Sequence, residues 1–152
     1  MDITSLLYQL PVAFLATAAF AVLFHVPARE YGFAGLTGAV GWLVYLLVLA
    51  VNPSVVLASL AASMALTALS RVFAVRRRTP ITIFLICGIF PLVPGTGIYD
   101  TVYYFIMGRN DLALDKGVQT VKIAVAIALG IVLMLSLPYS VFRRFHRGAA
   151  RR

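Results

Sequence analysis

The sequence predicts an all-α integral membrane protein with about five transmembrane helices, the fourth of which is broken between Pro91 and Gly97. Hydrophobic residues make up 62% of its 152 residues, charged residues make up only 12%, and the mean hydropathy is +0.97. A soluble domain needs more surface charge than this composition supplies. Five apolar stretches are also long enough for a membrane helix, which requires about 20 residues.

Short connections separate the five stretches. The expected helices are residues 6–24, 33–51, 55–73, 81–107 and 118–138. The sequence Asn-Pro-Ser at residues 52–54 is typical of a tight turn between the second and third helices. We expect residues 1–141 to form a single transmembrane domain and residues 142–152 to form a basic cytoplasmic tail.

The positions of the arginines predict the orientation in the membrane. One group lies at residues 71 and 76–78, near the end of the third helix, and another follows the fifth helix at residues 143–152. Arginine in short loops favours the cytoplasmic side. If every helix crosses once, both groups reach the cytoplasm only when the N-terminus is outside and the C-terminus is cytoplasmic. The net charge of +8 is therefore attributed to contact with the lipid bilayer, and no nucleic-acid partner is expected.

The fourth stretch contains Pro91, Pro94, Gly95 and Gly97 in its middle. Proline removes a backbone donor and clashes with the preceding turn, so the stretch is expected to form two half-helices. A re-entrant hairpin is the alternative, but it would place the C-terminal arginines outside, and a broken spanning helix is favoured. Irregular backbone at membrane depth is tolerated only where it is buried in protein or lines a polar cavity. The break is therefore the first place to look for function.

Several polar groups are predicted to lie near this break. Asp100 either binds the substrate or couples its transport to an ion such as a proton, or it caps the second half-helix. The half-helix that starts near Thr96 exposes free N–H groups that suit a carboxylate. Lys122 either pairs with Asp100 or extends to the lipid headgroups, and Gln119 shares its helix face. The candidates for a substrate path or coupling site are Pro91, Pro94, Gly95, Thr96, Gly97, Tyr99, Asp100, Gln119 and Lys122.

Aromatic residues and the single cysteine allow simpler interpretations. Five aromatic residues either gate or stack on a ligand or belong to an interfacial aromatic belt: Trp42, Tyr45, Tyr99, Tyr103 and Tyr104. Cys87 alone excludes an internal disulfide, and with two widely spaced histidines the chain offers no zinc site. No nucleophile and base pair is expected at membrane depth, so neither an enzyme nor a cofactor or metal is predicted.

Small residues predict where the helices pack closely, because association in lipid depends on close backbone approach. The predicted packing positions are Gly32, Gly35, Gly38 and Gly41 in the second helix, Ser54, Ala58, Ala61, Ala65 and Ala68 in the third, and Ala124 and Ala128 in the fifth.

Four short motifs resemble a known family over nearly the whole chain. They are Phe-His-Val-Pro-Ala-Arg-Glu at residues 24–30, Gly-Leu-Thr-Gly-Ala-Val-Gly-Trp at residues 35–42, Ile-Phe-Pro-Leu-Val-Pro-Gly-Thr-Gly-Ile-Tyr at residues 89–99, and Gly-Val-Gln-Thr at residues 117–120. The chain resembles the small, YjjB-like subunit of the threonine/serine exporter family. The resemblance implies export of threonine, serine or a dicarboxylate such as succinate across a bacterial inner membrane, together with a larger subunit.

The number of helices independently favours a partner. Five helices with no visible inverted repeat are few for an alternating-access carrier, so a larger subunit or a homo-oligomer is expected. The rival hypothesis is a scaffold subunit that stabilises a larger partner without transporting anything itself.

The predicted orientation can be tested by labelling introduced cysteines. We expect a thiol reagent to reach Asn110→Cys from the outside and Gly148→Cys only from the inside, because an odd number of crossings separates the two positions. Labelling of both positions from the same side would contradict the predicted orientation.

Overall fold

Six α-helices make up most of the chain in a computed structural model, which describes residues 3–138 and the side chains from residue 8 onward. The helices are α1 (Ile3–Leu23), α2 (Tyr31–Val51), α3 (Val55–Arg77), α4 (Thr82–Ile89), α5 (Gly95–Ile106) and α6 (Asn110–Ser136). Short 3-10 turns at Ala28–Glu30 and Phe90–Leu92 precede α2 and follow α4. Residues 3–138 contain no β-strand, so the all-α prediction is confirmed there. The predicted basic tail at residues 142–152 lies outside the described residues.

Three segments are long and apolar enough to cross a membrane: Ala28–Val51, Val55–Arg77 and Asn110–Ser136. The pair Thr82–Leu92 and Gly95–Ile106 forms a fourth candidate, bent by 49° at the predicted break. The apolar part of α1 whose side chains are described, Tyr8–Leu23, is shorter. The broken fourth segment is thus confirmed, whereas its crossing and the orientation of the termini stay predictions.

Helix α2 lies at the centre of the bundle and packs against α1, α3 and α4. Its glycines allow this close packing. An added Cβ would lie 2.8 Å from the Phe14 ring at Gly35, would overlap the Thr17 hydroxyl at Gly38, and would lie 3.2 Å from Leu66 at Gly41. Gly32 differs, because nothing lies within 4 Å of a Cβ at that position. The predicted packing role is therefore confirmed for three of the four glycines.

Packing of α3 and α6 differs from the prediction. The fully buried residues of α3 are Ala58, Ser59, Ala62, Ser63, Leu66, Thr67, Ser70 and Phe73, whereas the predicted Ala61, Ala65 and Ala68 are only half-buried. Since α3 packs against α2, α4 and α6, its buried surface is wider than one stripe of alanines. In α6 the predicted Ala124 and Ala128 are exposed, and Gly130 instead approaches Ser63 and the Leu60 carbonyl.

Helix α6 begins at Asn110, eight residues before the predicted start at residue 118. The polar residues Asp111, Asp115 and Lys116 therefore lie on a helix and not in a loop. Asp111 occupies the first turn, where a negative charge interacts favourably with the helix dipole. At the other end, Arg71 of α3 donates hydrogen bonds to the carbonyl oxygens of Met134 (2.6 Å) and Leu137 (2.9 Å).

An ion pair with a buried carboxylate joins the start of α2 to the end of α3. Glu30 has no exposed surface, and the Arg77 guanidinium donates hydrogen bonds to its carboxylate at 3.0–3.3 Å. The same guanidinium lies over the Phe33 ring at 4.7 Å. Next to this pair, Phe73, Phe84 and Cys87 belong to a buried apolar cluster. This end of the bundle is therefore closed by close packing and by this ion pair.

Glycine at position 38 is expected to be essential for the contact between α1 and α2. We predict that Gly38→Ala lowers the unfolding free energy by about 1–3 kcal/mol, because the new methyl group overlaps Thr17. Gly32→Ala is the matched control and should change stability by less than about 1 kcal/mol in either direction. Thermal unfolding in detergent measures both; equal midpoints for the two variants would contradict the packing of α1 on α2.

Candidate functional site

The break between α4 and α5 leaves backbone donors without acceptors. The chain turns through Val93, whose N–H donates to the Phe90 carbonyl at 3.2 Å, and Pro94 then precedes α5. The first turn of α5 is closed by the Ile98 N–H, which donates to the Pro94 carbonyl at 3.1 Å. Within the described part of the chain, the N–H groups of Thr96 and Gly97 have no acceptor. These donors and the positive end of the helix dipole favour a negatively charged group nearby.

A cavity of about 500 Å³ lies beside this break. It is bounded by the second half of α2, the start of α3, the break itself, the first turns of α5 and the first half of α6. The residues that line it are Trp42, Tyr45, Val55, Ser59, Pro91, Leu92, Val93, Pro94, Gly95, Thr96, Gly97, Asp100, Lys116, Gln119, Thr120 and Ile123. Leu92 belongs to a buried apolar cluster with Ala62 and Ile127, which closes the cavity on one side.

Two glycine–threonine contacts hold α5 against α6. A Cβ at Gly97 would overlap the Thr120 hydroxyl, and a Cβ at Gly117 would lie 3.3 Å from the Thr101 methyl group. Both hydroxyls donate to carbonyl oxygens of their own helices, Thr101 to Gly97 (2.6 Å) and Thr120 to Lys116 (2.7 Å). The two helices therefore approach closely without leaving these hydroxyls unpaired.

This approach places opposite charges across the mouth of the cavity. The Lys116 ammonium lies 3.8 Å from an Asp100 carboxylate oxygen, and their side chains are 44% and 39% exposed. At this separation the groups attract each other but form no direct hydrogen bond. Both can therefore still accept or donate hydrogen bonds to a ligand.

Comparison with known families adds an independent observation. The family model described as "Threonine/Serine exporter, ThrE" matches residues 9–137. The chain belongs to this exporter family. It is a component of a threonine/serine exporter-type transporter, and its helices make it a multi-pass membrane protein. Neither the curated proteins nor the solved structures contain a match to the chain.

The structure brings most of the predicted site residues of this exporter chain to the cavity. Those that line it are Pro91, Pro94, Gly95, Thr96, Gly97, Asp100 and Gln119. Two predicted residues do not line it. Tyr99 is 68% exposed and stacks on Tyr103 at 6.1 Å, and Lys122 is exposed on the surface of α6.

The two alternatives for Asp100 and Lys122 can now be compared with the geometry. Asp100 is the sixth residue of α5, and no side chain caps the first turn. The capping alternative for Asp100 therefore does not describe this helix. Lys116, which the sequence predicts to lie in a loop, is the cation beside Asp100, and Lys122 is not. The exposure of Lys122 agrees with the alternative in which its ammonium extends to the headgroups.

Sequence analysis missed Ser59 and Thr120 as well as Lys116. Ser59 is 1% exposed and lines the cavity. The small-residue pattern of α3 does not include it, so the sequence does not predict Ser59 as a site residue. Within the described residues, no group of three or more His, Cys, Asp or Glu side chains is arranged to hold a metal ion.

The Asp100 and Lys116 pair is expected to contribute little to stability, since exposed ion pairs are worth about 0–1 kcal/mol. We predict that Asp100→Asn and Lys116→Gln each change the unfolding free energy by less than about 1 kcal/mol. Gly97→Ala is the contrasting variant and should lose about 1–3 kcal/mol, because its methyl group overlaps Thr120. A loss in Asp100→Asn as large as that in Gly97→Ala would show that the pair is structural.

Proposed function

We propose that the chain is a subunit of a secondary transporter that exports small amino acids such as threonine and serine across the bacterial inner membrane. In this proposal the cavity beside the break forms part of the substrate path. The observation that carries it is the pair of opposite charges at the mouth of a cavity with unpaired backbone donors.

A zwitterionic amino acid complements this arrangement. Its ammonium can pair with the Asp100 carboxylate, and its carboxylate can accept hydrogen bonds from Lys116 or from the Thr96 and Gly97 N–H groups. The separation of 3.8 Å between Asp100 and Lys116 leaves each group free to exchange its partner for the ligand. A volume of about 500 Å³ is within the range of ordinary small-ligand sites.

A dicarboxylate such as succinate is the second candidate substrate, because Lys116 and the free N–H groups are both donors that suit a carboxylate. Its two negative charges fit the cavity less well. Asp100 and Lys116 are the charged residues that line the cavity, and their charges cancel. A neutral zwitterion preserves this balance, whereas a dianion adds negative charge beside Asp100.

Asp100 is also our candidate for coupling transport to an ion such as a proton. It is the carboxylate that lines the cavity, so a substrate and a proton would compete for the same charge. Such competition would couple the transport of the substrate to the transport of the proton.

A partner is part of this proposal, either a larger subunit of the same exporter family or a second copy of the chain. No residue of α5 is buried, and Asp100 and Lys116 remain partly exposed beside it. Charged groups at membrane depth are stabilised when they face protein or a water-filled cavity. A partner helix over α5 would provide that cover while leaving the cavity accessible from one side.

Efflux from vesicles tests this proposal. Membrane vesicles would be loaded with radiolabelled threonine, serine or succinate, with and without a co-expressed larger subunit. We expect threonine and serine to leave faster than succinate. Asp100→Asn and Lys116→Gln should each slow threonine efflux by roughly ten-fold, the effect of losing one charge-assisted hydrogen bond, and Thr96→Val tests the opposite side of the cavity.

Asp115→Asn is the matched control. Asp115 is exposed, is adjacent to Lys116 in sequence and does not line the cavity, so efflux should be unchanged. If Asp100→Asn and Thr96→Val leave efflux unchanged in a folded, partnered protein, the chain acts as a scaffold. Faster efflux of succinate than of threonine would favour the dicarboxylate.

A further inference from the structure

The buried hydroxyls of α3 fall into two kinds. Ser63 donates to the Leu60 carbonyl at 2.8 Å, Thr67 to the Ser63 carbonyl at 2.6 Å, and Ser70 to the Leu66 carbonyl at 2.8 Å. Ser59 is also buried, with 1% of its surface exposed, yet within the described part of the chain its hydroxyl makes no hydrogen bond. Among the fully enclosed side-chain oxygens and nitrogens of the described residues, Thr79 Oγ1 is the one without a partner, and Ser59 Oγ is not in that class. The Ser59 hydroxyl therefore faces the cavity, where it is available to a ligand or to water.

The Ser59 hydroxyl lies where it can contact a ligand in the cavity. It lines the cavity beside the break, on the α3 side, whereas Asp100 and Lys116 lie on α5 and α6. Those charged side chains are 39–44% exposed, while Ser59 is almost completely enclosed. The cavity therefore has a charged, accessible mouth and a buried end that carries one unpaired hydroxyl.

We propose that Ser59 is a specificity-determining residue that binds the side-chain hydroxyl of the exported amino acid. The inference rests on the proposed function, because it places the ammonium and carboxylate of the substrate at Asp100 and Lys116. With these groups held at the mouth, the substrate side chain extends toward the buried end. A hydroxyl on that side chain pairs with Ser59.

Other hydroxyls in the cavity are less suited to this role. The Thr120 hydroxyl already donates to the Lys116 carbonyl. Tyr45 also lines the cavity, but it is less buried than Ser59 and its ring stacks on Trp42. Thr96 is exposed at the break, where water competes for its hydrogen bonds. Burial makes Ser59 selective, since an apolar ligand at that position would leave its hydroxyl unpaired.

Threonine and valine have nearly the same shape, and they differ in whether one branch ends in a hydroxyl or a methyl group. An apolar pocket separates such a pair weakly, whereas a pocket with a committed hydrogen-bonding group rejects the ligand that lacks the hydroxyl. Threonine and valine have nearly the same size and the same zwitterionic charges, so a difference in their affinities reports the hydrogen bond to Ser59.

The chain contains a natural reporter for this comparison. Trp42 is its single tryptophan, lines the same cavity, stacks on Tyr45 at 5.0 Å and donates from Nε1 to Gln9 at 3.1 Å. We would titrate the full chain, reconstituted in vesicles without any other tryptophan-containing protein, with threonine, serine and valine while recording Trp42 emission. Competition of each amino acid with radiolabelled threonine efflux provides the same affinity ratio independently of emission.

We expect the wild-type chain to bind threonine roughly ten-fold more tightly than valine, the effect of one neutral hydrogen bond. Ser59→Ala should bring that ratio close to one, chiefly by weakening threonine. Ser63→Ala is the matched control: it removes a buried hydroxyl one turn away that is already paired, so the ratio should persist.

Two results would overturn the assignment of Ser59. One is a wild-type chain that binds valine as tightly as threonine, and the other is a threonine-to-valine ratio that survives Ser59→Ala. Export of threonine under either result would leave the proposed function intact. Absence of both threonine export and threonine binding would instead overturn the proposed function and, with it, this inference.

Discussion

The constraint on which this structure depends is that backbone polar groups at membrane depth need partners. Pro91 and Pro94 interrupt the fourth segment, and the N–H groups of Thr96 and Gly97 have no acceptor in residues 3–138. In hydrocarbon such groups would be costly, so the break must face protein or a polar cavity. The polar side chains that the structure gathers there satisfy this requirement. The break and the cavity are therefore two consequences of the same prolines.

Close approach of α5 and α6 determines which side chains reach the cavity. The contacts of Gly97 with Thr120 and of Gly117 with Thr101 fix the register of the two helices. In that register Lys116, and not Lys122, lies beside Asp100. Because the threonine hydroxyls bond to their own helices, the contact requires no further polar partner. In α3, Ser63, Thr67 and Ser70 likewise donate to carbonyl oxygens of their own helix, so their hydroxyls are structural. Ser59 makes no such bond and therefore differs from them.

The break is predicted correctly because the effect of proline is local. Most candidates close to it in sequence line the cavity, and Tyr99 is the exception. The sequence wrongly predicts Lys116 to lie in a loop because residues 110–117 are too polar to count as part of an apolar span. In the structure they form the first turns of α6, where Gly117 packs against Thr101 of α5, a tertiary contact that local sequence does not record. Ser59 was missed for a similar reason. Whether a helical serine bonds to its own backbone depends on its rotamer and neighbours, not on its spacing.

The ion pairs of Glu30 and of Asp100 show how burial separates structural charges from charges available to a ligand. Glu30 is fully buried, receives hydrogen bonds at 3.0–3.3 Å from Arg77 and lies 3.2 Å from the more exposed Arg29. Removing Arg77 would leave this buried carboxylate with Arg29 alone, which weakens its compensation. Asp100 and Lys116 lie 3.8 Å apart, and each keeps more than a third of its side-chain surface exposed. Separating them costs little, because water or a ligand can replace each partner. The ion pair of Glu30 and Arg77 thus holds α2 to α3 at one end of the bundle. The ion pair of Asp100 and Lys116 leaves both charges able to exchange partners at the cavity.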